Sequence, residues 1–217
     1  MPHIRLIAAT LALLVAGSTA ARGIDVDKVN GSIHIESDQQ AGDLTTVNGS
    51  IRVEGGGSAE KVSTVNGGIE LGERATVASV ETVNGGIELA AGARVTGSVE
   101  AVNGGVRLDR GAEILGRATN VNGRYVLDAA HIAGGIETVA GDIEIGADSR
   151  VEGGILVDKP RGWSWGKPRT PRVVIGPRAV VTGTLEFRRE VELFVSDRAK
   201  VGEIKGAKAQ AFSGDHP

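Results

Sequence analysis

The residues best suited to bind a ligand lie in one basic segment, residues 159–172, which contains no acidic residue. Five cations are spread along it: Lys159, Arg161, Lys167, Arg169 and Arg172. Trp163 and Trp165, the two tryptophans of the chain, lie among them. Tryptophan beside Arg or Lys suits a sugar ring, a lipid headgroup or an anionic polymer. We therefore expect a binding segment here. The alternative is that both tryptophans fold back over the side of the molecule.

The same segment contains Gly162-Trp163-Ser164-Trp165-Gly166, which matches the Gly-x-Ser-x-Gly pattern of a nucleophile elbow. Asp197, Asp215 and His216 follow in the order found in α/β-hydrolases. An elbow requires a strand before it and a helix after it, whereas prolines at 160, 168 and 171 flank this copy. The sequence therefore predicts no catalytic residue and a protein that is not an enzyme.

Other polar residues give no stronger sign of chemistry. The chain has no cysteine, and His34 and His131 are isolated, so we expect no metal and no cofactor. Glu70 and Glu88 fall on one predicted outward row, about 5 Å apart if they lie on adjacent coils. That row mixes both signs of charge, so a solvated face explains it without a glycosidase-type carboxylate pair.

A tripeptide, Val-Asn-Gly, sets the period of the chain. Its asparagines are Asn30, Asn48, Asn66, Asn84, Asn103 and Asn122, with Ala140 at the seventh position. The steps between them are 18, 18, 18, 19, 19 and 18 residues, and a fixed short period indicates a solenoid. Stacked asparagines can hydrogen-bond to one another, and Asn tolerates the backbone of tight corners. We predict a structural Asn ladder. The alternative is a row that binds a ligand.

Behind each Val-Asn-Gly, apolar and outward residues alternate, as in Ile69-Glu70-Leu71, which is the pattern of a half-buried strand. Three short strands per repeat, separated by glycine-bearing corners, predict an all-β fold, a single-stranded parallel β-helix. The inward residues align as about nine coils of 18–19 residues: Ile33, Ile51, Ile69, Ile87, Val106, Tyr125, Ile143, Val173 and Leu193.

The predicted organisation has three parts. Residues 1–20 are a signal peptide, because a basic start, the apolar run Leu6 to Gly17 and small residues at 18–20 precede the repeats. Residues 21–207 are the β-helix, with the insertion 159–172 emerging where the next Val-Asn-Gly corner is due. Residues 208–217 are a polar tail. We expect a periplasmic or secreted protein with no transmembrane helix and no lipid attachment.

Charge is divided unevenly along the chain. Residues 21–158 contain 11 Lys/Arg and 21 Asp/Glu, whereas residues 159–217 contain 12 and 6. In a β-helix these become an acidic body and a basic end, an arrangement that acts on association. Because strand edges are exposed at the ends of such a rod, we expect end-to-end homo-oligomers. Nucleic acid is not an expected partner.

Two repeated fragments carry a resemblance: Ala93-Arg94-Val95-Thr96-Gly97-Ser98-Val99-Glu100-Ala101 and residues 179–187, Ala-Val-Val-Thr-Gly-Thr-Leu-Glu-Phe. They resemble the coils of bactofilins, polymer-forming bacterial β-helix proteins. The Val-Asn-Gly-Gly-Ile corners are similar to those of exported adhesin-type β-solenoids. Both likenesses, over about residues 24–207, imply a right-handed β-helix. Bactofilins typically act in the cytoplasm, so the export signal departs from that family. The left-handed helix of hexapeptide acyltransferases is the second candidate, but the 19-residue coils break its register.

The functional expectation is an exported, non-catalytic structural or adhesin-like β-helix protein of the bacterial envelope that assembles end to end. The alternative is a module that binds an anionic envelope polymer, a glycan or a membrane surface through residues 159–172. An enzyme acting on polysaccharide ranks below both.

Overall fold

The computed structural model describes residues 23–160 and 169–217. Within these residues the chain forms 26 β-strands and no helix. All the strand pairings are parallel and join each coil to the next one along the chain. The predicted fold, an all-β parallel solenoid, is therefore confirmed.

The first sheet supplies one face of the rod. Its ten strands, one per coil, are β2 Ile33–Ile35, β4 Ile51–Val53, β6 Ile69–Leu71, β8 Ile87–Leu89, β11 Val106–Leu108, β14 Tyr125–Leu127, β17 Ile143–Ile145, β20 Arg172–Ile175, β23 Glu192–Ser196 and β26 Ala209–Phe212. We number the coils 1 to 10 by these strands.

The second sheet wraps the other two faces. Its long strands are β1 Ile24–Asn30, β3 Ala41–Asn48, β5 Ser58–Asn66 and β7 Thr76–Asn84. Its second face continues through β9 Arg94–Val95, β12 Glu113–Ile114, β15 His131–Ile132, β18 Arg150–Val151, β21 Val180–Val181 and β24 Lys200–Val201. Its third face continues through β10 Val99–Asn103, β13 Ala118–Asn122, β16 Ile136–Thr138, β19 Ile155–Val157, β22 Leu185–Phe187 and β25 Ile204–Lys205.

One inserted residue explains the change from 18- to 19-residue steps. The strand β7 continues across two faces, and its two halves pair separately with β9 and β10. Three residues separate Val77 from Val80, whereas four separate their partners Val95 and Val99. The additional residue lies in the segment Thr96-Gly97-Ser98, where the strand is interrupted by a bend.

The predicted register holds across the insertion. Ile143 pairs with Val173, and Val173 pairs with Leu193, although 30 residues separate the first pair. The inward positions are fully buried in nearly every coil, and each large aliphatic side chain buried in this way contributes about 1.5–3 kcal/mol. The residues between β19 and β20 therefore do not disturb the stacking of the coils.

The structure has ten coils rather than about nine. Strand β26, Ala209–Phe212, pairs with β23 and lies inside the segment predicted to be a polar tail. Its sequence, Ala-Gln-Ala-Phe, lacks the branched aliphatic residues that marked the other coils. The pairing instead rests on backbone hydrogen bonds and on the stacking of Ala209 over Leu193.

Candidate functional site

The corner that joins the third face to the first face is the most distinctive edge of the rod, and we call it the Asn corner. In coils 1 to 6 its six asparagines form an unbroken ladder in which each Nδ2 donates to the Oδ1 of the coil below, at 3.0–3.1 Å. Between the first and last members of the ladder, each side-chain amide both donates through Nδ2 and accepts through Oδ1. The coils thus become joined by side chains as well as by backbone.

Glycine follows each asparagine because the coils approach closely there. A Cβ atom on Gly85 or Gly104 would lie 1.9 or 1.8 Å from the carbonyl oxygen of the glycine one coil below. The next position is open: a Cβ on Gly86 would have its nearest neighbour at 3.6 Å. Serine or arginine occupies that second position in other coils, at Ser32, Ser50 and Arg124.

A second polar row lies just inside the ladder, and the sequence analysis missed it. Thr46, Thr64 and Thr82 are buried, and their Oγ1 atoms donate to the carbonyl oxygens of Gly31, Gly49 and Gly67 at 2.9–3.2 Å. Higher up, Thr138 donates to the Oδ1 of Asn120 at 2.6 Å. The sequence contained a signal for this row: an uncharged polar residue stands two positions before the tripeptide asparagine, or Ala140, in five of the seven repeats. The two exceptions are Lys28, which is charged and exposed, and Ala101, which is apolar.

In the upper coils the same corner becomes charged. The ladder ends at Ala140, which has no amide. Beyond it the contacts of the corner centre on Asp142, whose side chain is only 10% exposed. Its Oδ2 accepts from Arg169 at 2.6 Å, and its Oδ1 accepts from the backbone N–H of Arg172 at 3.0 Å. The guanidinium group of Arg124 lies 3.8 Å from Oδ2.

These contacts determine the ionisation of Asp142. Burial raises the pKa of this carboxyl group, but the Arg172 N–H, the Arg169 hydrogen bond and the charges of Arg169 and Arg124 together lower the pKa below its usual value. Asp142 is therefore ionised at neutral pH and holds two arginine side chains at the rod surface.

Two further arginines strengthen this corner. Arg189 donates to the carbonyl oxygens of Val139 and Arg169, both at 2.8 Å. It therefore joins the corner of coil 9 to the corners of coils 7 and 8. Arg188 contacts Glu186 at 2.8 Å and Asp158 at 3.5 Å.

The predicted basic segment is described only at its two ends. Lys159 is exposed, and its backbone N–H donates to the Asp158 carboxylate. Arg169 contacts Asp142, and the guanidinium group of Arg172 lies 4.8 Å from the ring centroid of Phe194. Arg161, Trp163, Trp165 and Lys167 lie outside the described residues, as does the Gly162–Gly166 motif.

The remaining candidates make structural contacts. Asp197 accepts from Ser213, and Asp215 lies 3.6 Å from Arg198. Glu70 pairs with Arg52, and Glu88 lines the shallow acidic surface beside them. No group of three or more potential ligand side chains that could hold a metal ion occurs in residues 23–160 and 169–217.

The two ends of the rod are the second notable feature. At the lower end, β1 and β2 pair with β3 and β4 above them and with no described strand below. At the upper end, β24, β25 and β26 are each paired on one side only. The apolar residues that the core leaves partly exposed lie at these ends: Val26, Val191, Val195, Ala199, Val201, Ile204, Ala207 and Ala209.

The chain beyond β26 turns along the side of the rod instead of covering its upper end. Ser213 and Asp215 contact Asp197 and Arg198, one coil below β26. Asp215 and His216 line a surface groove with Glu144, Gly176 and Pro177, which belong to coils 7 and 8. The upper strand edges therefore remain open in the described part of the chain.

Comparison with protein-family models, with curated proteins and with solved structures gave no match. No helix in the described ranges is long and apolar enough to cross a bilayer. The Asn corner and the two ends are the features of the rod from which a function can be inferred.

Proposed function

We propose that this protein is an exported structural rod that assembles end to end through parallel strand pairing. The proposal is carried by the open strand edges at both ends of the described rod, residues 23–160 and 169–217, together with a C-terminal segment that lies along the flank. An open edge presents unpaired N–H and C=O groups, which favours the addition of another strand. A second copy of the same rod presents strands of the correct direction.

The two ends fit each other in strand order. The upper end finishes with β25 on the third face and β26 on the first face. The lower end begins with β1 on the third face and β2 on the first face. Stacking one copy on another therefore places β1 over β25 and β2 over β26, and it continues both sheets without a break. This head-to-tail contact does not close, so it generates filaments.

Backbone hydrogen bonds on the first face also match. The carbonyl oxygen of Phe212 accepts from Asp197 below, so by strand alternation the N–H and C=O groups of Ala209 and Ala211 face the open end. At the lower end Ile33 donates to the coil above, so the groups of His34 face downward. In the stacked arrangement His34 lies between Ala209 and Ala211 and bonds to both.

Charge favours the same contact. Residues 24–43 contain five acidic residues and one lysine, whereas residues 198–212 contain four basic residues and one glutamate. Opposite charges at the two ends steer head-to-tail encounter and disfavour contact between like ends. Since these charges are exposed, we expect assembly to weaken as salt is added.

The place of action follows from the predicted signal peptide. Cleavage after Ala20 or Ala21 would leave only a few residues before β1, which begins at Ile24. Ile24 is 82% exposed, as expected of a strand that awaits a neighbour. We assign the rod to the cell envelope, as a structural or adhesin-like element with no catalytic role.

The test is sedimentation velocity of the wild type and the Ala211→Pro variant across protein and salt concentrations. Proline at position 211 removes the backbone N–H that faces the open upper end, but it breaks no hydrogen bond within the chain. Proline is also tolerated in edge strands. We expect the wild type to form a concentration-dependent series of oligomers and the variant to stay monomeric. Ala211→Ser, which keeps the N–H, is the matched control. A wild type that is monomeric under every condition, or a proline variant that assembles equally well, would contradict the proposal.

A further inference from the structure

The upper part of the Asn corner has more positive charge than its structure requires. The guanidinium groups of Arg124 and Arg169 both contact the carboxylate of Asp142, and that of Arg189 donates to the carbonyl oxygens of Val139 and Arg169. Arg172 contacts Asp142 through its backbone N–H only. One guanidinium group and one backbone N–H would satisfy Asp142. Arg124 and Arg169 both reach the Oδ2 atom of Asp142, so their charges lie within a Debye length, about 8 Å at physiological salt, and repel one another.

The arginines are held from below and remain open to solvent above. The side chains of Arg169 and Arg124 are 71% and 60% exposed, although Asp142 beneath them is 10% exposed. A guanidinium group has five N–H donors, and Arg169 uses one of them on Asp142 while Arg189 uses two on carbonyl groups. The unused donors are fixed in place before any ligand arrives, which lowers the entropy cost of binding.

We propose that this strip, Arg124, Arg169 and Arg189, binds the phosphate or carboxylate groups of a linear polyanion. Guanidinium groups bind such oxyanions through paired, charge-assisted hydrogen bonds. Asp142 acts as a positioning residue that orients two of the arginines. The site is built from described residues alone and does not depend on assembly of the rod.

The shape of the strip favours binding of a linear polymer over binding of a flat membrane. The three arginines belong to the corners of coils 6, 8 and 9, so the strip runs along the rod axis for about 14 Å at 4.8 Å per coil. Acidic residues flank it: Glu144 and Glu192 lie on the first face, Glu186 lies on the third face, and Glu190 directly follows Arg189. A flat anionic membrane would meet these carboxylates, whereas a single polymer chain avoids them.

The test is fluorescence anisotropy of labelled linear polyphosphate with the full chain, measured from low to moderate salt. Arg124→Gln/Arg169→Gln is the test variant. Arg150→Gln/Arg178→Gln, which removes two half-exposed, ion-paired arginines away from the corner, is the control for net charge. We expect the test variant to bind at least about tenfold more weakly and the control to change about twofold or less.

The salt dependence provides a second readout that loss of folding would not mimic. For the test variant the slope of log Kd against log salt should fall by about two, one for each lost contact. Arg124→Gln alone, whose contact with Asp142 is the longest, serves if the double variant is unstable. Equal loss in the control, no saturable binding at low salt, or binding to phosphatidylglycerol vesicles but not to polyphosphate would overturn the proposal. The Ala211→Pro background separates this result from assembly.

Discussion

The Asn corner exists in two chemical forms within one molecule. In coils 1 to 6 it is neutral: six amides form a ladder, and the stacked glycines beside them allow the coils to approach closely. In coils 7 to 9 it is ionic: Asp142 contacts Arg124 from the corner of coil 6 and Arg169 and Arg172 from the corner of coil 8. The backbone path of the coils is continuous across the change.

The difference separates two ways of holding a corner. Amide ladders are self-contained, because each member is both donor and acceptor, and they respond little to pH or salt. The ionic corner leaves excess positive charge at the surface and depends on one carboxylate. The neutral form is suited to a uniform rod, and the ionic form is suited to a contact with something anionic.

The largest effect should come from the close approach of the coils in the lower region. Gly85→Ala forces a Cβ atom against the carbonyl of Gly67, so we expect a loss of about 3 kcal/mol or more in the free energy of unfolding. Gly86→Ala, one residue later, meets nothing nearer than 3.6 Å and should change stability by less than about 1 kcal/mol. Denaturant unfolding compares the two. Equal losses would show that the stacked glycines do not set the coil spacing.

The ionic corner should show a pH dependence that the neutral corner lacks. The folded pKa of Asp142 is lowered, so its stabilisation is complete above its unfolded pKa, about 3.9, and is lost as pH falls through the folded value. Asp142→Asn should cost about 1–2 kcal/mol at neutral pH, because the arginine ends are exposed to solvent. The difference between wild type and variant should vanish in strong acid.

Thermal unfolding from neutral to acidic pH provides the measurement for Asp142. Asp148→Asn is the control, because Asp148 forms an ion pair with Arg178 on the open surface, where we expect a much smaller loss. A gap between wild type and Asp142→Asn that persists at every pH would contradict the ionic account.

The smallest effects should come from the amide ladder. Asn84→Ala removes two ladder hydrogen bonds and Asn122→Ala removes one. Because these amides are exposed, we expect losses of about 1 kcal/mol and about half of that. Ala140→Asn should extend the ladder by one bond to Asn122 and stabilise the protein slightly. Chemical denaturation measures all three. Equal losses at both asparagines would indicate that the amides act independently of the ladder.

Much of the fold could be predicted because its determinants are local and repeated. The Val-Asn-Gly steps and the alternation of residues such as Ile87-Glu88-Leu89 indicated the strands, and they gave the pairing of Ile143 with Val173 across the insertion. The tenth coil was missed because Ala209–Phe212 carries none of that pattern. Its strand is imposed by the edge of β23 beneath it.

The site was less predictable because its members come from distant parts of the chain. Asp142 belongs to the degenerate seventh repeat, in which Ala140 replaces the asparagine. Nothing in the sequence linked it to Arg124 or to Arg169, which lies 27 residues further on. Arg189 reaches Val139 across 50 residues. Such contacts depend on where the side chains of the corner residues point, which the repeat period does not specify.

The most direct test of the central claim is negative-stain electron microscopy of the purified protein at low and moderate salt. Rods stacked along their own axis into filaments at low salt, shortening as salt is added and absent in Ala211→Pro, are the predicted result. Single short rods at every concentration, or rods joined side by side, would contradict end-to-end assembly.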